Sequence, residues 1–115
     1  MSEEIVKVLS FEVERVGTKA IVTCHGRLVA GTAEEFYQEM KQLVPETKLI
    51  IVEMKELSYV DSMGLGALVR LYVHARNQGS ELKLLHLGKQ LRNLLTMTNL
   101  ASVFGDTEDH GITVA

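Results

Sequence analysis

Asp61 and Ser62 stand directly before a long run with helical periodicity, in the stretch Tyr59 to Arg76 that reads YVDSMGLGALVRLYVHAR. A carboxylate and a hydroxyl at that position can each accept the free backbone N–H groups of a first helical turn. Ser62 is also placed for covalent modification. A phosphate there adds a charge of about −1.5 to −2 at the helix end where the dipole and the free N–H groups favour it. The helix tolerates such a group, whereas a docked partner presenting acidic groups is repelled. Gly64 and Gly66 fall in the first turns, where each weakens the helix by roughly 1 kcal/mol relative to alanine. Close approach of another backbone or of a ligand is the usual gain that offsets such a cost. Ser62 is therefore read as a helix cap and as the candidate phosphoacceptor.

Other chemistries fit these residues poorly. A nucleophile elbow needs glycine two residues before the serine, and Val60 is there. It also needs an acid and then a histidine on downstream loops. His74 shares the helix of Ser62, His86 falls in an expected strand, and His110 lies in the tail after Asp106, Glu108 and Asp109. The four histidines lack the i, i+4 pairing of a helical zinc site. Gly64-Leu65-Gly66 has neither the spacing nor the lysine or acid of a nucleotide-binding loop. Cys24 reads as core, His25 as solvent-facing at a strand end and His86 as half-buried. Met40, Met54 and Met97 read as core fillers, with Met63 set apart beside Ser62. Lys89 and Arg92 form a solvated face. The expectation is a protein that is not an enzyme and uses no metal and no cofactor.

The elements that hold this stretch belong to one domain of 115 residues, with a core over about 5–104 and a short irregular tail over 105–115. An apolar fraction of 46% and a charged fraction of 23% are globular values. A net charge of −3 offers no overall attraction for nucleic acid or an anionic membrane. The single cysteine fits a reducing compartment. The acidic start, Met1-Ser2-Glu3-Glu4, lacks signal-peptide features, and no apolar run approaches a membrane span. A cytoplasmic location follows as an expectation.

In chain order, Ile5 to Val16, with Phe11, Val13 and Val16 as its apolar positions, turns at Gly17-Thr18-Lys19. It returns through Ala20 to His25 as a hairpin, extended or ended by Gly26-Arg27-Leu28. Thr32 and Glu35 have the spacing of a capping box before Ala33, Phe36, Tyr37, Met40, Leu43 and Val44, and Pro45 ends that helix. Lys48 to Glu53 is a short strand with a continuous apolar centre, followed by a polar turn over Glu53 to Ser58. A helix from Ser62 to about Gln78 stops at Gly79. Its apolar stripe is broader than one sheet face needs, so part of it is expected to meet a partner. Leu82 to Leu87 is a strand. Gly88 opens a third helix with Leu91, Leu94 and Leu95 inward, and Leu100, Val103 and Phe104 make a last short strand or a packed turn. Ile112-Thr113-Val114 is a weak strand signal. The order β-β-α-β-α-β-α-(β) predicts an α/β fold: a mixed four- to five-stranded sheet with helices mainly on one face.

The decamer Leu57-Ser58-Tyr59-Val60-Asp61-Ser62-Met63-Gly64-Leu65-Gly66 resembles the signature of the STAS domain, as in bacterial anti-sigma-factor antagonists. The resemblance extends from about Phe11 to Phe104. It implies a binding module that holds a cognate anti-sigma factor, itself an ATP-dependent serine kinase, and so frees a sigma factor for transcription. Phosphorylation of the motif serine releases the partner, and a phosphatase reverses it. Carried over by position, Ser62 is the phosphoacceptor. Asp61, Met63, Gly64, Leu65 and Gly66 share the contact surface, with the turn at Val29-Ala30-Gly31-Thr32 on the same rim. Val29 stands where many members carry an acidic residue. Gly105 to Ala115 is too short for the further C-terminal helix of many members, which leaves an apolar strip open to a homodimer contact. A STAS scaffold that is not phosphorylated, within a signalling complex or a lipid-transport ATPase assembly, is the alternative.

Overall fold

In the computed structural model, which describes residues 8–104, the first two β-branched runs pair as expected across a tight turn. Strand β1 (Leu9–Val16) lies antiparallel to β2 (Lys19–Leu28), with Val16 opposite Lys19 and Leu9 opposite Gly26. The later strands, β3 (Leu49–Val60) and β4 (Glu81–Leu85), are each reached through a helix and so join in parallel. The sheet order is β1-β2-β3-β4, a mixed four-stranded sheet. The connecting helices are α1 (Ala33–Lys41) and α2 (Ser62–Asn77), and α3 (Lys89–Met97) follows β4.

Strand alternation decides which face the helices cover. Ala20, Val22 and Cys24 of β2, Ile50, Val52 and Met54 of β3, and Leu82 and Leu84 of β4 join one buried cluster. Phe36 and Met40 of α1, Leu68 and Leu71 of α2, and Leu91 and Leu95 of α3 belong to the same cluster. Glu12, Thr23 and Glu53, which share the opposite face by register, stay outside it. All three helices therefore lie on one face. The broad stripe of α2 is largely used within the chain: Leu65, Ala67, Leu68, Leu71 and Ala75 are buried, and Tyr72 meets Phe104 edge-on at 5.4 Å. The Cys24 thiol is pushed up to about 12, first by burial and then by the Glu53 carboxylate, so it packs as a small apolar group.

Several expectations change. Residues 53–58 are strand, not turn. Strand β2 runs on to Leu28 and holds β3 alongside it, His25 opposite Glu56 and Leu28 opposite Val60, with two register shifts on the way. Their polar side chains suit this position because β4 ends with Leu85 opposite Glu53 and leaves the outer edge of β3 open. Thr32 does not form a capping box. Its hydroxyl turns back into the loop, accepting from Val29 N–H at 3.0 Å and lying 3.0 Å from the Arg27 carbonyl. Helix α1 stops at Lys41, and Pro45 sits inside a separate 3₁₀ turn, Val44–Glu46, where its fixed φ is welcome. Val13 and Val16 of edge strand β1 are exposed, while Phe11 meets the Phe36 ring of α1 edge-on at 6.2 Å. His25 lies within β2, half-buried, while His86 lies past β4, exposed, with its Nδ1 2.7 Å from Glu53 Oε1. Met97 is 77% exposed and fills no core. Residues 101–104 form a packed turn with Phe104 buried. Ile5 to Lys7, the tail and its weak strand signal lie outside the described residues.

One device closes the open end of β3. The Gln90 side-chain amide accepts from Val60 N–H at 3.0 Å and donates to Val60 C=O at 2.8 Å, as a neighbouring strand would. Gln90→Leu leaves both backbone groups without a partner and is expected to cost about 2 kcal/mol in urea unfolding. Gln90→Glu does not restore the loss, because its second oxygen faces the Val60 carbonyl. Wild-type stability in Gln90→Leu contradicts this role.

Candidate functional site

The site begins where β3 ends. Asp61 has extended backbone, and its N–H donates to the Leu28 carbonyl at 3.2 Å. Its carboxylate then divides between two elements. Oδ1 accepts from Gly64 N–H at 2.8 Å and caps α2, while Oδ2 accepts from Ala30 N–H at 3.0 Å in the loop before α1. One side chain thus ties the heads of both helices together. Asp61 is the cap, so the capping role expected of Ser62 falls to its neighbour. Ser62 is the first residue of α2, exposed, and its hydroxyl makes no hydrogen bond among the described residues.

The two glycines separate. A Cβ on Gly64 would stand 2.0 Å from the Leu28 carbonyl oxygen, so its bare backbone serves the packing of α2 on the end of β2. Of the two gains expected for a glycine here, close approach of another backbone or of a ligand, Gly64 serves the first. A Cβ on Gly66 would meet nothing within 4 Å. Gly66 opens instead onto a shallow groove of about 160 Å³ between the heads of α1 and α2. Ala30, Ala33, Gly66 and Ala67 line it with small residues, and Ser62, Met63, Glu34 and Arg70 complete it. Met63 is 59% exposed. Of the other expected contact residues, Leu65 and Thr32 are buried and shape this surface from beneath, while Val29 is half-buried in the loop beside it.

Sequence reading missed the polar side of the groove. Arg70 Nη1 donates to Glu34 Oε1 at 2.9 Å, and its guanidinium sits 3.9 Å from the Tyr37 ring centroid. Gln38 Nε2 also donates to Glu34, at 2.8 Å. These two bonds, that of Gln38 first, hold the Glu34 carboxyl below the ordinary range, and Glu34 in turn raises Arg70. The i, i+4 spacing of Glu34 and Gln38 is visible in sequence. The Arg70 pairing spans two helices and is not. Among the described residues, no group of three or more His, Cys, Asp or Glu side chains gathers to hold a metal, and no helix is long and apolar enough to cross a membrane.

This sheet, these helices and this capped serine turn define a STAS architecture, and the family model of the STAS domain matches residues 10–111. The chain belongs to the STAS domain family. An anti-sigma factor antagonist from Mycobacterium paratuberculosis has a similar structure, with a TM-score of 0.74 at 18% identity, covering 84% of this chain and 82% of that one. The anti-sigma factor antagonist SpoIIAA matches in its unphosphorylated form with a TM-score of 0.70, over 79% of this chain and 82% of that one. The phosphorylated form of the Bacillus protein matches at 0.67, over 80% and 86%, and identity is 18% in both cases. A sulfate transporter family protein from Wolinella succinogenes is also similar, with a TM-score of 0.70 at 22% identity over 86% of this chain and 82% of that one. At these identities the likeness is one of fold.

Proposed function

We propose that this chain is an anti-sigma-factor antagonist switched by phosphorylation of Ser62. In its unphosphorylated form it binds a cognate anti-sigma factor that is itself a serine kinase, and a sigma factor is set free. Transfer of the γ-phosphoryl group of ATP to Ser62 Oγ, with loss of the hydroxyl proton, ends the interaction, and a phosphatase restores it. The reaction takes place in the cytoplasm. The observation that carries this reading is the uncommitted Ser62 hydroxyl, exposed on the rim of the groove while Asp61 does the capping. A phosphate can be added there without removing a bond that the fold uses. The similarity to antagonists, one of them solved in a phosphorylated form, supports the same reading.

The contact surface is then Ser62, Met63 and Gly66 with Val29 beside them, shaped from below by Asp61, Gly64, Leu65 and Thr32. Incubation with the kinase and ATP is expected to add one phosphate, located on Ser62 by mass spectrometry. Ser62→Asp weakens partner binding by roughly tenfold or more, a change of about 1.4 kcal/mol, and Ser62→Ala holds the binding form on. Labelling of Ser62→Ala at the wild-type level would falsify the proposal. The equal fold likeness of a transporter-family protein favours one alternative, a STAS scaffold that is never phosphorylated. That reading requires one constitutive partner, recovered equally by wild type and Ser62→Asp.

A further inference from the structure

The groove beside Ser62 contains a charged pair that the phosphorylation reading leaves unused. Glu34 belongs to the first turn of α1 and Arg70 to the middle of α2, and their 2.9 Å bond crosses between the helices. Helical side chains lean toward the N-terminus of their own helix. Arg70 does so here, because it reaches the first turn of α1, and Asp61 binds Ala30 just ahead of that turn. Its guanidinium is thereby carried back from its own Cα, about 12 Å of helix beyond that of Ser62, toward the modified end. Ser62, Glu34 and Arg70 line one groove, whose other lining residues are the small Ala30, Ala33, Gly66 and Ala67, with Met63 beside Ser62.

We propose that the Glu34–Arg70 pair is the element of this surface that answers a phosphate on Ser62: the dianion draws the Arg70 guanidinium off Glu34 and across the small-residue floor of the groove. A phosphoserine carries up to twice the charge of a carboxylate and offers three acceptor oxygens, and arginine matches them with a planar fork of donors. Glu34 keeps its bond from Gln38 when Arg70 leaves, so the exchange strands no acceptor and gives up, besides the ion pair, the guanidinium's contact with the Tyr37 ring. The consequence reaches beyond repulsion. The unphosphorylated groove offers a partner an open floor with Arg70 held at its side, and the phosphorylated groove has that floor covered. The idea rests on Ser62 being the modified residue.

The test needs no kinase. Phosphoserine is installed at position 62 of the full chain through an expanded genetic code, and its second ionisation is followed by ³¹P NMR. The ionisable groups around the groove are Asp61, Glu34 and Arg70, with Tyr37 of α1 beneath the Arg70 guanidinium and Lys41, further along α1, acting on Glu34. Arg70→Gln is expected to raise the titration midpoint by about half a pH unit or more, the scale of one unit charge a few ångströms away. Glu34→Gln removes the competitor and lowers it. Arg76→Gln, further along α2, shifts it by less than about 0.2 because salt screens the longer distance. Equal shifts for Arg70→Gln and Arg76→Gln, or an unmoved midpoint in Glu34→Gln, overturn the proposal. A kinase that labels another residue overturns the proposed function and leaves this titration unaffected.

Discussion

Gly64→Ala is expected to lower the stability of the domain by about 3 kcal/mol or more, while Gly66→Ala, two residues along the same helix, raises it by about 0.5–1 kcal/mol. The difference comes from what a methyl group meets. At Gly64 it would stand 2.0 Å from the Leu28 carbonyl oxygen and 2.8 Å from the carbonyl carbon. Those atoms are backbone, and the Leu28 carbonyl also accepts from Asp61 N–H, so neither side can yield without pulling α2 off the end of β2. At Gly66 nothing lies within 4 Å, and the added methyl only stiffens the unfolded chain and favours the helix. Urea unfolding of the two variants beside wild type measures both effects. At this chain length 3 kcal/mol corresponds to a fall in Tm of roughly 12 °C. Gly66→Ala also fills the groove floor, so it should weaken partner binding in a protein that is more stable than wild type. Equal destabilisation by the two variants contradicts this division of roles.

That division also shows how far the sequence reading could go. The Gly64/Gly66 pair announced a special turn, and the start of α2 after Asp61 and its end at Gly79 were legible from caps and periodicity. So was the hairpin, because Gly17 and Thr18 separate two β-branched runs. Each of these signals is local, carried by residues within a turn or two of one another. What escaped notice is not local. Residues 53–58 look like a turn by composition and become strand only because β2 lies beside them. Thr32 has the spacing of a capping box, yet its hydroxyl is claimed by the Arg27 and Val29 backbone. Gln90 and Val60 are 30 residues apart, and Glu34 and Arg70 are 36 apart. Gln90, Glu34 and Arg70 each read alone as ordinary polar residues. The candidate serine was therefore visible from sequence, and the groove that gives it neighbours was not.

Asp61 is where the local and distant signals meet, and its substitutions separate them. Asp61→Ala removes the cap on Gly64 N–H and the acceptor for Ala30 N–H together. A lost N-cap costs about 1 kcal/mol, and a lost hydrogen bond to a charged acceptor about 1.5–3 kcal/mol, so the variant should lose roughly 2–4 kcal/mol. Asp61→Asn is the informative change. Asparagine caps helices as well as aspartate does, so its oxygen can keep the bond to Gly64. Its amide nitrogen then faces the Ala30 N–H, a donor against a donor. The expected result is an intact α2 with a loosened loop before α1. Amide hydrogen exchange should stay slow at Gly64 and quicken at Ala30 and its neighbours. Partner affinity should fall in Asp61→Asn as well, because the Val29–Thr32 rim and the Ser62 turn would no longer be held in one arrangement. Wild-type exchange at Ala30 in Asp61→Asn would mean that the carboxylate serves α2 alone. In that case the rim is placed by the Thr32 hydroxyl, and only the serine turn depends on Asp61.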